Sequence, residues 1–217
     1  MEKDEPNYTK VHACVVYASD EPRFKGSAYF VGSALEGLGF GVRYIVLADV
    51  PPGQLLAEFS AWVREKDDDD STIQLVLAYF GHGCIRGGRL WACNHGPRDD
   101  FTALQEYLRD DALADALTIL GTCKAGVKLR RRANNHVNRD MERFETESRI
   151  VETLASSDNT ITNSTPWVAR LVTDLCVEKK PRRVRDIHES IRTPSAISPS
   201  LLRNELENED SQNISWL

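Results

Sequence analysis

No apolar run in the 217 residues approaches the roughly 18 that a membrane-spanning helix needs. The opening Met1-Glu2-Lys3-Asp4-Glu5-Pro6 has no apolar core of the kind a signal peptide carries. Positive charge is not in excess either: 27 basic residues face 33 acidic ones, for a net charge of −6. That balance argues against a surface given over to duplex nucleic acid and leaves room only for a local basic patch. The five cysteines, Cys14, Cys84, Cys93, Cys123 and Cys176, are odd in number and unevenly spread, unlike a secreted disulfide framework. No internal repeat is present. What is left is an ordinary globular composition, 41% hydrophobic and 28% charged. It is long enough to bury a core without disulfide or metal staples, and its expected location is cytoplasmic or nuclear.

Short apolar blocks are what the sequence does have. Val11 to Ala18, Val42 to Ala48, Ile73 to Phe80 and Leu117 to Leu120 read as buried strands, with Arg149 to Ser156 as a fifth. Between them lie helical spacings: Ala28, Phe30, Val31, Ala34, Leu35 and Leu38, then Leu55, Leu56, Phe59, Trp62 and Val63, then Phe101 to Leu108. Strand–helix alternation with unbroken apolar strands predicts an α/β domain of three layers, a mostly parallel sheet with helices on both faces. Helices are also expected at Pro166 to Cys176, with Ser164-Thr165-Pro166 as its start, and at Val184 to Ile191, and a last short strand at Asn213 to Leu217. Lys128 to Ser148, with Arg130, Arg131, Arg132, Arg139 and Arg143 and few apolar anchors, reads as a long basic loop or linker. It lacks the interleaved aromatics of a nucleic-acid patch.

In parallel α/β sheets, sites gather beyond the carboxyl ends of the strands. Two blocks put reactive groups there: Leu75-Val76-Leu77-Ala78-Tyr79-Phe80-Gly81-His82-Gly83 and Leu117-Thr118-Ile119-Leu120-Gly121-Thr122-Cys123-Lys124-Ala125-Gly126. Each reads as an apolar strand ending in a flexible turn, with an imidazole at one tip and a thiol at the other. Neighbouring strands would bring His82 and Cys123 to one crevice. A thiol attacks at neutral pH as thiolate, which a nearby imidazolium favours. The N–H groups of Gly83 and Cys123 are candidate oxyanion donors, and Lys124 adds positive potential.

These two blocks resemble those of the caspase-like cysteine proteases, the superfamily of caspases, metacaspases and paracaspases. Lys25-Gly26-Ser27 leading into a helix, Leu38-Gly39-Phe40-Gly41-Val42 and Ile150-Val151-Glu152-Thr153-Leu154-Ala155-Ser156-Ser157 support the resemblance, which runs from about Val11 to Leu217. It implies a single caspase-like domain with a six-stranded, mostly parallel sheet. Residues 11–127 would form the large-subunit-like region, 128–148 the linker and 149–217 the small-subunit-like region. It further implies a cysteine endopeptidase in which Cys123 is the nucleophile and His82 protonates the leaving amine. The expected setting is regulated proteolysis such as programmed cell death or immune signalling, as a homodimer or a larger signalling assembly, with an inactive scaffold or regulator as the alternative. The partner is a protein or peptide substrate; no nucleic acid, membrane or cofactor is called for.

The sequence departs from the family around the nucleophile. Caspases carry Gln-Ala-Cys-Arg-Gly where this chain has Gly121-Thr122-Cys123-Lys124-Ala125, and metacaspases carry an Asp at the place of Gly121. Substrate-binding candidates are therefore Arg23 or Lys25 for an acidic P1 side chain and Asp158 for a basic one, with Gly121, Ser156 and Trp167 beside them. The lean is toward a basic P1. Trp91 falls in an expected hairpin after Gly87-Gly88, and His136 and His188 sit in polar surroundings. Cys84, Cys93 and His95 match no structural zinc spacing, so no metal site is expected. Asp67 to Asp70 and Asp99-Asp100 are carboxylates open to calcium.

Overall fold

The computed structural model describes residues 8, 10–66, 73–94, 96–122, 141–145, 150–155, 168, 171 and 172. In chain order the elements are β1 (Lys10–Tyr17), α1 (Pro22–Gly37), β2 (Gly41–Val46), α2 (Leu55–Lys66), β3 (Ile73–Arg86), β4 (Arg89–Cys93), β5 (Pro97–Asp100), α3 (Phe101–Asp110), β6 (Asp115–Thr122), β7 (Met141–Glu145) and β8 (Ile150–Ala155). Six strands form the main path in the order β2-β1-β3-β6-β8-β7, and β4 and β5 extend β3 off that path. Every pairing on the path is parallel except β7 with β8.

The middle stretches of the central strands are mostly apolar because both their faces are covered. Side chains alternate along a strand, so Leu75, Leu77 and Tyr79 enter one core while Val76, Ala78 and Phe80 enter the other. The first core is closed by Leu55, Phe59, Trp62 and Val63 of α2 and by Phe101, Leu104 and Leu108 of α3. The second is closed by Phe24, Ala28, Val31 and Leu35 of α1, together with the helical Val168, Leu171 and Val172. Each large side chain so buried contributes roughly 1.5–3 kcal/mol of transfer free energy. The expected three layers are present.

The helices start and stop for local reasons. Pro22 opens α1, where its missing N–H costs nothing. The helix therefore begins a turn before Lys25-Gly26-Ser27, and its apolar stripe turns Phe30 and Leu38 outward. Asp100 caps α3 by accepting from the Thr102 N–H at 3.0 Å. The buried Asp99 accepts from the Leu55 N–H at 3.2 Å and so caps α2 from a distant segment. Both carboxylates thus serve the fold, and among the described residues no group of three or more His, Cys, Asp or Glu side chains is arranged to hold a metal ion.

Three expectations change. Strand β3 does not end at Phe80 but runs through Gly81-His82-Gly83 to Arg86, because β4 pairs with its second half in an antiparallel hairpin across Gly87-Gly88. Strand β6 likewise continues through Gly121 and Thr122, held by Phe80 and Gly81 of β3. Within the basic stretch read as a loop, Met141–Glu145 is a strand against β8; an edge strand has one open side and tolerates charged residues. The carboxylates at 67–70 and the elements expected at 184–191 and 213–217 lie outside the described residues, as do Ser164-Thr165-Pro166 and most of the helix expected over 166–176. Among the described residues, no helix is long and apolar enough to cross a membrane.

Candidate active site

His82 sits where β3 leaves the parallel sheet and enters the hairpin, directly opposite Cys93. Its backbone is fixed by Tyr79, whose buried hydroxyl donates to the His82 carbonyl at 2.7 Å and accepts from the Cys93 N–H at 3.3 Å. Burial pushes the Tyr79 hydroxyl far above the usual tyrosine range, so it stays a proton donor. Gly81 makes this possible: a Cβ there would lie within 3.0 Å of the Tyr79 ring and of Ala18. Gly81 therefore marks a close approach, not a flexible tip.

The imidazole is partnered from the end of β1. His82 Nε2 lies 2.6 Å from Glu21 Oε1 and 3.6 Å from Asp20 Oδ2. Phe24 presents its ring edge-on, with centroids 4.9 Å apart. The His82 side chain is 37% exposed and that of Asp20 only 8%. Asp20 Oδ1 is buried and, among the described residues, has no hydrogen-bond partner. For Glu21, burial raises the carboxyl pKa, but its contacts with Arg23 and His82 outweigh that and hold it below the usual range.

Arg23 and Lys25 fall on the first turn of α1. Arg23 pairs with Glu21 and stacks over Phe24 at 4.9 Å, so it joins the His82 network. Lys25 lies over the Tyr29 ring at 5.8 Å instead. Gly121 packs against Phe80: a Cβ at that position would come within 3 Å of the ring. An aspartate there would have to displace Phe80, which gives the departure from the metacaspase pattern a steric reason.

On the β6 side the geometry is described as far as Thr122, which faces Gly81 across the ladder. The neighbours of His82 and Cys123 in sequence are thus hydrogen-bonded strand partners. Cys123, Lys124, Ser156, Asp158 and Trp167 lie outside the described residues, as do His95, His136 and His188. Gly83 pairs with Ala92 in the hairpin.

The arrangement brings together His82, Gly83, Gly121, Arg23 and two residues outside the expected site, Asp20 and Glu21. They follow β1, and β1 pairs directly with β3. The rule that placed sites beyond strand ends applied to this strand as well. Tyr79 was also missed, since within an apolar block its hydroxyl gives no separate signal.

No protein-family model matches the sequence, and no curated protein matches it. Among solved structures, the crystal structure of drICE, a caspase, is similar over 85% of this chain and 81% of drICE, at 9% identity and a TM-score of 0.46. An identity and a score that low carry no residue role from drICE to this chain.

Proposed function

We propose that this chain is a cysteine endopeptidase that hydrolyses peptide bonds through His82 and Cys123. The observation that carries the proposal is the pairing of Gly81 with Thr122 on adjacent parallel strands, with His82 held beside two carboxylates. Cys123 follows Thr122 directly in the sequence, as His82 follows Gly81. In this reading the Cys123 sulfur attacks the scissile carbonyl carbon, and the oxyanion draws on the Gly83 and Cys123 N–H groups. The C–N bond then breaks as His82 gives a proton to the leaving amine, and water releases the acyl group. With Nε2 beside Glu21 and Asp20, this reading assigns the proton transfer to Nδ1.

Asp20 sharpens the choice of P1 charge. Arg23 is paired with Glu21, while Asp20 Oδ1 is buried and has no hydrogen-bond partner among the described residues. A guanidinium or ammonium side chain would satisfy it, and an aspartate side chain would meet like charge. The proposed P1 residue is basic, with Asp20 in the role that sequence reasoning offered to Asp158. Cleavage of matched peptides ending in Arg, Asp and Leu tests this. Arg should be fastest, and Asp20→Asn should slow the Arg peptide by about 10- to 100-fold, the range of a charge-assisted hydrogen bond. Faster cleavage of the Asp peptide overturns the P1 assignment. No cleavage of any peptide favours a scaffold or regulator of the same fold, a reading that gains from Nε2 being already occupied by Glu21.

A further inference from the structure

The hairpin that carries His82 also carries two cysteines in contact. Cys84 on β3 and Cys93 on β4 have their Sγ atoms 3.2 Å apart, and both are reduced. The register explains the contact. His82 is opposite Cys93 and Cys84 is opposite Trp91, so all four side chains share one face of the hairpin, and the two cysteines are diagonal neighbours. Leu90 and Ala92 face the other way, into the core under α3. Cys93 is 7% exposed, while Cys84 is half-buried. Cys14 is different in kind: it is fully buried in the core under α2, where burial pushes its thiol up to about 12.

We infer that Cys84 and Cys93 are a reversible dithiol–disulfide modification site on the strand that presents His82. Closing the bond requires the sulfurs to approach from contact to about 2.05 Å. Diagonal partners in a regular ladder have Cα atoms roughly 7–8 Å apart, beyond the usual disulfide range. The bond would therefore draw β4 toward β3 beside His82, and a disulfide under such strain is readily reduced again. β4 can shift at this point because its pairing with β5 is already irregular between Ala92 and Cys93.

Hydrogen peroxide is the oxidant. The more exposed Cys84 sulfur attacks one peroxide oxygen, the O–O bond breaks, and a sulfenic acid forms with loss of one water. The Cys93 sulfur then attacks the Cys84 sulfur and displaces that oxygen as a second water. Two thiols have been oxidised to one disulfide, and one peroxide has been reduced to two waters.

Peptide mapping of the full chain tests this without any assay of hydrolysis. Trypsin cuts at Arg86 and Arg89, between the two cysteines, so the disulfide joins peptide 67–86 to peptide 90–98. Treatment with peroxide should yield that linked pair in both the wild type and Cys123→Ala, and reduced glutathione should release it. The result therefore does not depend on Cys123 being a nucleophile. In Cys93→Ser, Cys84 should stop at the sulfenic acid and be trapped by dimedone. Recovery of Cys84 as a thiol or joined to another cysteine, with no 67–86/90–98 pair, overturns the inference.

Discussion

The two halves of β3 do different work within one strand. From Ile73 to Phe80 it is buried almost without interruption and feeds both cores. From His82 to Arg86 its residues are half-buried or exposed, its pairing on one side changes from parallel to antiparallel, and it carries an imidazole and a thiol. The first half makes a sheet that needs no particular chemistry beyond apolar side chains of the right size. The second uses that sheet as a rigid base for partly exposed groups. Rigid placement beside partial exposure is what a reactive group requires, and Tyr79 joins the halves.

Substitutions on either side of Tyr79 should separate stability from chemistry. The largest loss of stability is expected at Leu77, fully buried in the core under α2 and α3. Leu77→Ala should cost about 2–5 kcal/mol in chemical denaturation. Tyr79→Phe comes next, because it leaves the Cys93 N–H and the His82 carbonyl without their shared partner. A loss of roughly 1–3 kcal/mol is expected, with slower hydrolysis at an unchanged pattern of cleavage. His82→Ala is the converse. It should abolish turnover yet shift the denaturation midpoint little, within about 0.5 kcal/mol, as for other substitutions outside the core. A large drop in stability with His82→Ala would mean that the second half belongs to the fold after all.

The smallest effect is a pH dependence at the opposite end of the sheet. His12 of β1 is held below its ordinary value of 6.5, first by burial and then by the positive charges of Lys66 and Lys10. A histidine lowered in the folded state binds more protons when unfolded. Its contribution is therefore complete above that ordinary value and is lost as pH falls below it. His12→Gln should flatten the decline in melting temperature between about pH 7 and pH 5. Glu21 acts in a lower window: its carboxyl is held down in the folded state, so its contribution persists above the ordinary value of 4.5 and is lost as pH falls through the lowered one.

The first half of β3 was legible in the sequence, and the second was not, for a physical reason. Six apolar residues in a row, Leu75 to Phe80, mark a covered segment, and the helical spacings of Phe59, Trp62 and Val63 or of Val31 and Leu35 point inward on their own. Gly81 and Gly83 read as turn residues because a glycine's local preference is all that a sequence displays. Gly81 instead makes room for a tyrosine hydroxyl two positions before it, and Gly83 lies within a strand whose partner begins at Arg89. Asp20 and Glu21 likewise look like turn formers until β1 lies beside β3. Met141–Glu145 carries three charged residues in five and gains its strand only from β8. What depends on a partner far along the chain is what the local pattern leaves out.

The most direct test of the central claim, that His82 and Cys123 form one reactive pair, is active-site labelling. Purified protein is treated with a peptidyl electrophile bearing a basic P1 side chain, and the adduct is located by mass spectrometry. The account predicts one adduct per chain on Cys123, much slower with His82→Ala and absent with Cys123→Ala. Labelling of Cys84 in place of Cys123, or labelling of Cys123 at the same rate with and without His82, would contradict it.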